Sequence, residues 1–202
     1  NNAKNWSEAV AASQADGQQK TVILRSNWTA NATSVTTTSY TTSYQEQYST
    51  GFNSGALQVP SNAKILLDMN GYTMNRGLSA ARSYGCSFYT QGALEIVDRN
   101  TRSAKGKITG GFSSNTGSAI HFTGGTVKIH DIDITVNSGV YDAIYITGNY
   151  KLTLGGSVQI YNNRETRSST TLLRNIRLNN ATTVIDIDSK LTGTQQFTVW
   201  RS

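Results

Sequence analysis

Cysteine occurs once in 202 residues and histidine only twice, as Cys86, His121 and His130. A lone thiol excludes an internal disulfide, and three such residues at these spacings make no zinc, haem or iron–sulfur ligand set, so neither metal nor cofactor is expected. Acids are scarce as well. The 12 Asp and Glu stand against 18 Lys and Arg, which gives a net charge of +6 although only 15% of residues are charged. The cations are spread along the chain, the densest group being Arg164, Arg167, Arg174 and Arg177 around Glu165. They read as a solvated loop and rim, and no nucleic-acid partner is expected. Long apolar runs are missing too: nothing approaches the ~20 residues of a membrane span, and no charged-then-apolar leader precedes Trp6. The expectation is a mature or excised soluble piece, one domain over 1–202, with no membrane insertion.

What is present is mostly strand. The segment NWSEAVAASQA (Asn5 to Ala15) places Trp6, Val10 and Ala11 near helical spacing behind a capping Ser7, which predicts one short helix within 1–20. After Thr21 the chain turns to short alternating apolar runs closed by Gly, Asn or Asp. The Thr/Ser/Tyr-rich stretch at 31–54 lacks core alternation and reads as a surface insertion. A Thr-rich face that binds ice would repeat in every coil, and this one occurs once.

An internal repeat fixes the architecture. YTQGALEIVD (Tyr89 to Asp98), FTGGTVKIHD (Phe122 to Asp131) and ITGNYKLTLGG (Ile146 to Gly156) share an apolar residue, a Thr, a Gly-containing turn and an apolar-x-apolar strand. Phe122 to Ile146 and Ile108 to Ile132 are each 24 residues apart. That spacing is too long for a hairpin. A unit with three short strands cannot bury its own apolar face, whereas stacked units can, each strand pairing in parallel with its copies. The expected fold is therefore all-β, a right-handed parallel β-helix of about five to six coils over 57–200, capped by the N-terminal helix. An antiparallel sandwich is the competing architecture, and equivalent residues recurring in register favour the solenoid.

The segment ILLDMNGYTMNRGL (Ile65 to Leu78) resembles the strand and turn of a repeat-rich family of β-helix domains in large Gram-positive bacterial cell-surface, adhesin-like proteins. WSEAV (Trp6 to Val10), TVILRSNWTA (Thr21 to Ala30), GALQVPSNAKI (Gly55 to Ile65), GKITGG (Gly106 to Gly111) and IDIDSKLTGTQQFTV (Ile185 to Val199) follow in the family's order. The resemblance implies a secreted or cell-wall-attached module that is part of a longer surface protein, acting as a stalk or adhesive domain. It supplies no catalytic motif. The family's glycine-rich coils give way here to GSAIHF and YDAIYI.

Alternation assigns the outward faces. With Ile120/Phe122, Ile144/Ile146 and Ile176/Leu178 inward, His121, Tyr145 and Arg177 point outward, and Phe88 is expected to join them from SFY. Such an aromatic and cationic ladder can stack sugar rings or engage a protein, or simply brace neighbouring strands. A second ladder is expected to run Asp68, Glu95, Lys128, Thr153 and Asp186, with Lys128 pairing Glu95. Stacked Asp68 and Glu95 would be a carboxylate pair, but Lys128 would keep Glu95 ionised, which suits an acid catalyst poorly. A third is expected at Thr109, Asp133 and Gln159, with Thr135 beside Tyr161.

No GxSxG or phosphate-loop pattern occurs, and no motif sets a nucleophile beside His121. His130 is read as making a turn hydrogen bond near Asp131, and Cys86 as a small buried residue. The expected function is thus non-enzymatic, an extracellular bacterial surface domain presenting a face to a host protein or glycan. A polysaccharide lyase or glycosidase and a passive spacer are the alternatives.

Overall fold

The structure, a computed structural model, describes residues 2–29, 56–100, 103–166, 172–193 and 197–202. The Thr/Ser/Tyr-rich stretch at 31–54 and Arg167 lie outside the described residues.

Helix α1 (Asn2–Asp16) opens the chain, and its inward face is Trp6, Ser7, Val10 and Ser13. Ser7 is thus a buried residue of the first helical turns and not the cap, and Ala11 is exposed. Four sheets follow. Sheet 1 stacks β1 (Lys20–Ile23), β4 (Lys64–Asp68), β7 (Ala93–Val97), β11 (Thr126–His130), β15 (Lys151–Gly155) and β20 (Val184–Ile187). Sheet 2 stacks β2 (Trp28–Thr29), β5 (Thr73–Asn75), β8 (Lys107–Thr109), β12 (Asp133–Thr135) and β16 (Gln159–Tyr161). Sheet 3 stacks β3 (Leu57–Val59), β6 (Phe88–Thr90), β10 (Ile120–Phe122), β14 (Ile144–Ile146), β19 (Ile176–Leu178) and β21 (Val199–Arg201). Sheet 4 holds β9 (Phe112–Ser113), β13 (Ser138–Gly139), β17 (Arg164–Glu165) and β18 (Leu172–Leu173).

The complete coils, β6 to β9, β10 to β13 and β14 to β17, run from sheet 3 to sheet 1, then sheet 2, then sheet 4, and among the described residues all strand pairs are parallel except β17 with β18. This is a parallel β-helix of about six rungs. Three coils carry four strands where three were expected, because two-residue strands such as Phe112–Ser113 are too short to show periodicity. Phe122 does pair with Ile146, the expected spacing. Ile108 pairs with Ile134 and not Ile132, so the coil length varies at that corner.

Inward residues alternate as the pleat requires: Ile120, Phe122, Ile144, Ile146, Val127, Ile129, Leu152 and Leu154 are wholly buried in one continuous core. Where sheet 2 turns into sheet 4, the backbone must bend inside the wall, and polar side chains satisfy it. Asn137 Oδ1 accepts from Gly111 N, Asn163 Oδ1 from Asn137 N and Nδ2, and Asn175 Oδ1 from Asn163 Nδ2. This buried asparagine ladder ties successive coils together. Gly111 begins it because a Cβ there would lie 1.7 Å from the Ser118 carbonyl oxygen.

Helix α1 covers the start of the solenoid. Trp6 packs on Phe88 at 5.7 Å and donates its indole N–H to the Gln58 carbonyl at 2.9 Å, while Lys64 N donates to Ser13 Oγ at 2.8 Å. A helix laid over the first coil shields strand edges that would otherwise pair with another chain.

Candidate functional site

The outward ladder of sheet 3 is Gln58, Tyr89, His121, Tyr145, Arg177 and Trp200, each residue in register with the next. His121, Tyr145 and Arg177 stand together as expected. Phe88 does not join them. It pairs with Ile120 on the inward side and is wholly buried against Trp6, so the ladder position belongs to Tyr89, one residue later. The reason is polarity: at the end over α1 the core takes the wholly apolar ring and the wall takes the ring with a hydroxyl.

The ladder is two layers deep. His121 and Tyr145 stack at 5.3 Å between ring centroids, and each is only 8% exposed. Over them lie two tyrosines from the turns that precede sheet 3. Tyr141 stacks on Tyr145 at 4.4 Å, and Tyr84 covers His121 at 6.4 Å, with Tyr89 edge-on to both Tyr84 and His121. Tyr84 holds its backbone at φ 53, a left-handed conformation costly for a bulky side chain. Its N–H is fastened to Asn115 Oδ1 at 2.8 Å.

Next to the rings sits a charged group that alternation did not reveal. Arg177 lies over Tyr141 with its guanidinium carbon 5.2 Å from the ring centre, and Arg174 over Trp200 at 3.8 Å. Arg174 Nε faces Glu165 Oε2 at 2.6 Å, both side chains being largely buried. Asp142 is wholly buried, and neither carboxylate oxygen has a hydrogen-bond partner. Burial pushes its pKa up to about 6, although Arg177 and Arg174 pull it down, and Glu165 adds a smaller upward push. Burial moves His121 the other way, down to about 4, so its ring is neutral with both nitrogens unpartnered.

The other ladders are corrected by register. Leu66, not Asp68, opposes Glu95, while Asp68 opposes Val97 and accepts from Asn70 N and Arg99 N. The expected carboxylate pair therefore does not form. Lys128 and Thr153 follow Glu95 as expected, as does Asp186, whose pKa is lowered by the hydrogen bond and charge of Lys151 at 2.6 Å. Glu95 accepts a hydrogen bond from Gln19 Nε2 at 3.2 Å. In sheet 2, Lys107 replaces Thr109 beside Asp133 and Gln159, while Thr135 does oppose Tyr161. His130 faces Asp188 at 3.1 Å and not its neighbour Asp131. Cys86 is buried, its thiol pushed up to about 11 by burial, which makes it unreactive.

No family model, curated protein or solved structure matches the chain. Among the described residues, no three His, Cys, Asp or Glu side chains group as a metal site, and no helix is long and apolar enough to cross a membrane.

Tyr89 and Trp200 were within reach of sequence reasoning, since pairing FYT and VWR with IHF fixes both. Tyr84, Tyr141 and Asp142 were not, because they come from irregular turns whose approach to the ladder has no period. Chemically, the assembly offers flat ring faces, oriented guanidinium donors and little net charge, a surface suited to holding a ligand.

Proposed function

We propose that this chain is a non-enzymatic binding module of a bacterial cell-surface protein, which presents the sheet 3 face to a host protein or glycan. One observation carries the reading: rings and guanidiniums from five consecutive rungs, Tyr89 to Trp200, are aligned on one rigid wall and thickened by Tyr84 and Tyr141. Aromatic and arginine side chains held in place lose little entropy on binding, which is why they dominate interface energetics. The extracellular, wall-associated setting rests on the resemblance of Ile65 to Leu78 and the segments around it to adhesin-like β-helix domains.

The test is an array of host glycans and extracellular proteins, probed with the chain and with its Arg177→Ala and Trp200→Ala variants. Retention of a ligand by the parent and its loss in both variants is the expected result. A parent that retains nothing would leave the passive spacer as the better reading.

A carbohydrate-active enzyme is the second reading, favoured by the unequal settings of Asp142, buried without a partner, and Glu165, held by Arg174. Pairs of carboxylates in contrasting environments are what acid–base cleavage uses. Complete burial of Asp142 weighs against it, because a catalytic acid must reach the scissile oxygen. Incubation with pectins, glycosaminoglycans and mucin glycans, followed by assay for new reducing ends or unsaturated products, separates the two. Turnover abolished by Asp142→Asn would establish the enzyme.

A further inference from the structure

We infer that the sheet 3 platform takes an uncharged pyranose saccharide, a chain of neutral hexoses or N-acetylhexosamines, and not a polyanion. The inference rests on the binding-module reading above and narrows its ligand.

The net charge of +6 invites the opposite conclusion. At the platform, however, carboxyls accompany the arginines. Arg174 is matched by Glu165 at 2.6 Å, and Arg177 acts electrostatically on the buried carboxyl of Asp142. Two arginines against two carboxyls leave no net cation, and the imidazole of His121 beneath them carries no charge near neutral pH. A polyanion gains affinity by replacing counterions at unpaired cations, whereas on this strip Arg174 is already paired with Glu165 and the field of Arg177 is offset by the carboxyl of Asp142. What remains on the outside is apolar ring surface at Tyr141 and Trp200 and flat guanidinium groups aligned with it.

Pyranose chemistry complements that surface. The axial C–H face of a sugar ring stacks on an aromatic face, and its equatorial hydroxyls accept from guanidinium N–H groups while donating elsewhere. Arg177 is half-buried, its Nε enclosed while its guanidinium lies over the Tyr141 ring. A hydroxyl-rich neutral ligand meets such a group without adding charge to a low-dielectric site. Successive rungs repeat at ~4.8 Å, so the platform presents an extended row and not a single point, which suits an oligosaccharide.

The experiment uses the whole chain and two sets of probes: neutral trisaccharides of glucose, galactose, mannose and N-acetylglucosamine, and a heparin oligosaccharide, a polygalacturonate fragment and sialyllactose. Binding is measured by calorimetry at low and high salt. A neutral trisaccharide should bind with an affinity that salt leaves unchanged, and Trp200→Ala or Arg177→Gln should weaken it about tenfold or more. Arg164→Gln, a surface cation of sheet 4, should leave it intact. Trp200→Phe, with an unaltered circular dichroism melt, checks that loss reflects the platform and not the fold. Binding restricted to the sulfated or uronic probes, falling steeply with salt, would overturn the ligand class and leave the binding-module reading standing. A platform-dependent protein ligand with no saccharide bound would do the same. Absence of any ligand would overturn both.

Discussion

His121 and Tyr145 occupy adjacent rungs of sheet 3 and stack with 5.3 Å between ring centroids and 17° between planes, both pointing outward and both buried. An outward position that is nonetheless dry needs a cover, and Tyr84 and Tyr141 provide it. The consequences for electrostatics, strain and binding can each be measured.

Two buried ionisable groups should pull the stability in opposite directions with pH. Asp142 keeps its proton to about pH 6 in the fold and loses it near 3.8 when unfolded, so the stability it contributes below pH 4 is lost as pH rises to 6. His121 stays neutral down to about pH 4 in the fold but protonates near 6.5 when unfolded, so its contribution is lost as pH falls over nearly the same window. Each shift is worth at most about 3 kcal/mol. Relative to the parent, Asp142→Asn should gain stability as pH rises from about 4 to 6 and His121→Phe should lose it, read from urea midpoints. Parallel profiles for the two variants would refute the assignment.

Among the described residues, Val136 is the one β-branched residue held at a left-handed φ, 54°, and it is 63% exposed. Gly110 and Asn162 occupy the same turn in the neighbouring coils, so the backbone there is set by the solenoid and the side chain must comply. Val136→Gly should raise stability by about 1 kcal/mol. The reverse change at Gly110 should be severe, since a Cβ there would meet Asn75 Oδ1 at 2.0 Å. Thermal melts of both variants decide it.

Asn163 is wholly buried and fully occupied: it accepts from Asn137 N and Nδ2 and donates to the Ile134 carbonyl and Asn175 Oδ1. Asn163→Ala strands several of these groups at once and should cost about 3 kcal/mol or more. A loss under about 1 kcal/mol in urea denaturation would mean the ladder is not what joins the coils.

Tyr84 combines a strained backbone with a ring over His121. Tyr84→Gly removes the ring and relaxes the strain, so its stability should stay within about 1 kcal/mol of the parent while ligand affinity falls. A large loss of stability with affinity kept would show that Tyr84 serves the fold alone.

The solenoid was legible in the sequence because a repeat writes itself several times. Ile120/Phe122, Ile144/Ile146 and Ile176/Leu178 announce the inward face, and His121, Tyr145 and Arg177 follow by alternation. A one-residue ambiguity was enough to misplace Phe88 for Tyr89, since a period of two carries no phase when both residues are aromatic. The same slip, by two residues, put Asp68 beneath Glu95 where Leu66 stands. Asp142, Tyr84 and Tyr141 escaped for a different reason. Turns of unequal length carry them over the wall, and nothing in local sequence records where such a turn lands.

The most direct measurement follows the three indole N–H resonances. Trp6 and Trp28 lie in the core, at 1% and 8% exposure, whereas Trp200 is 46% exposed on the platform. Titrating the neutral trisaccharides should move the Trp200 resonance saturably, leave the other two in place, and have no effect in Arg177→Gln. A Trp200 resonance unmoved by every trisaccharide, or a shift confined to Trp6 and Trp28, would contradict the account.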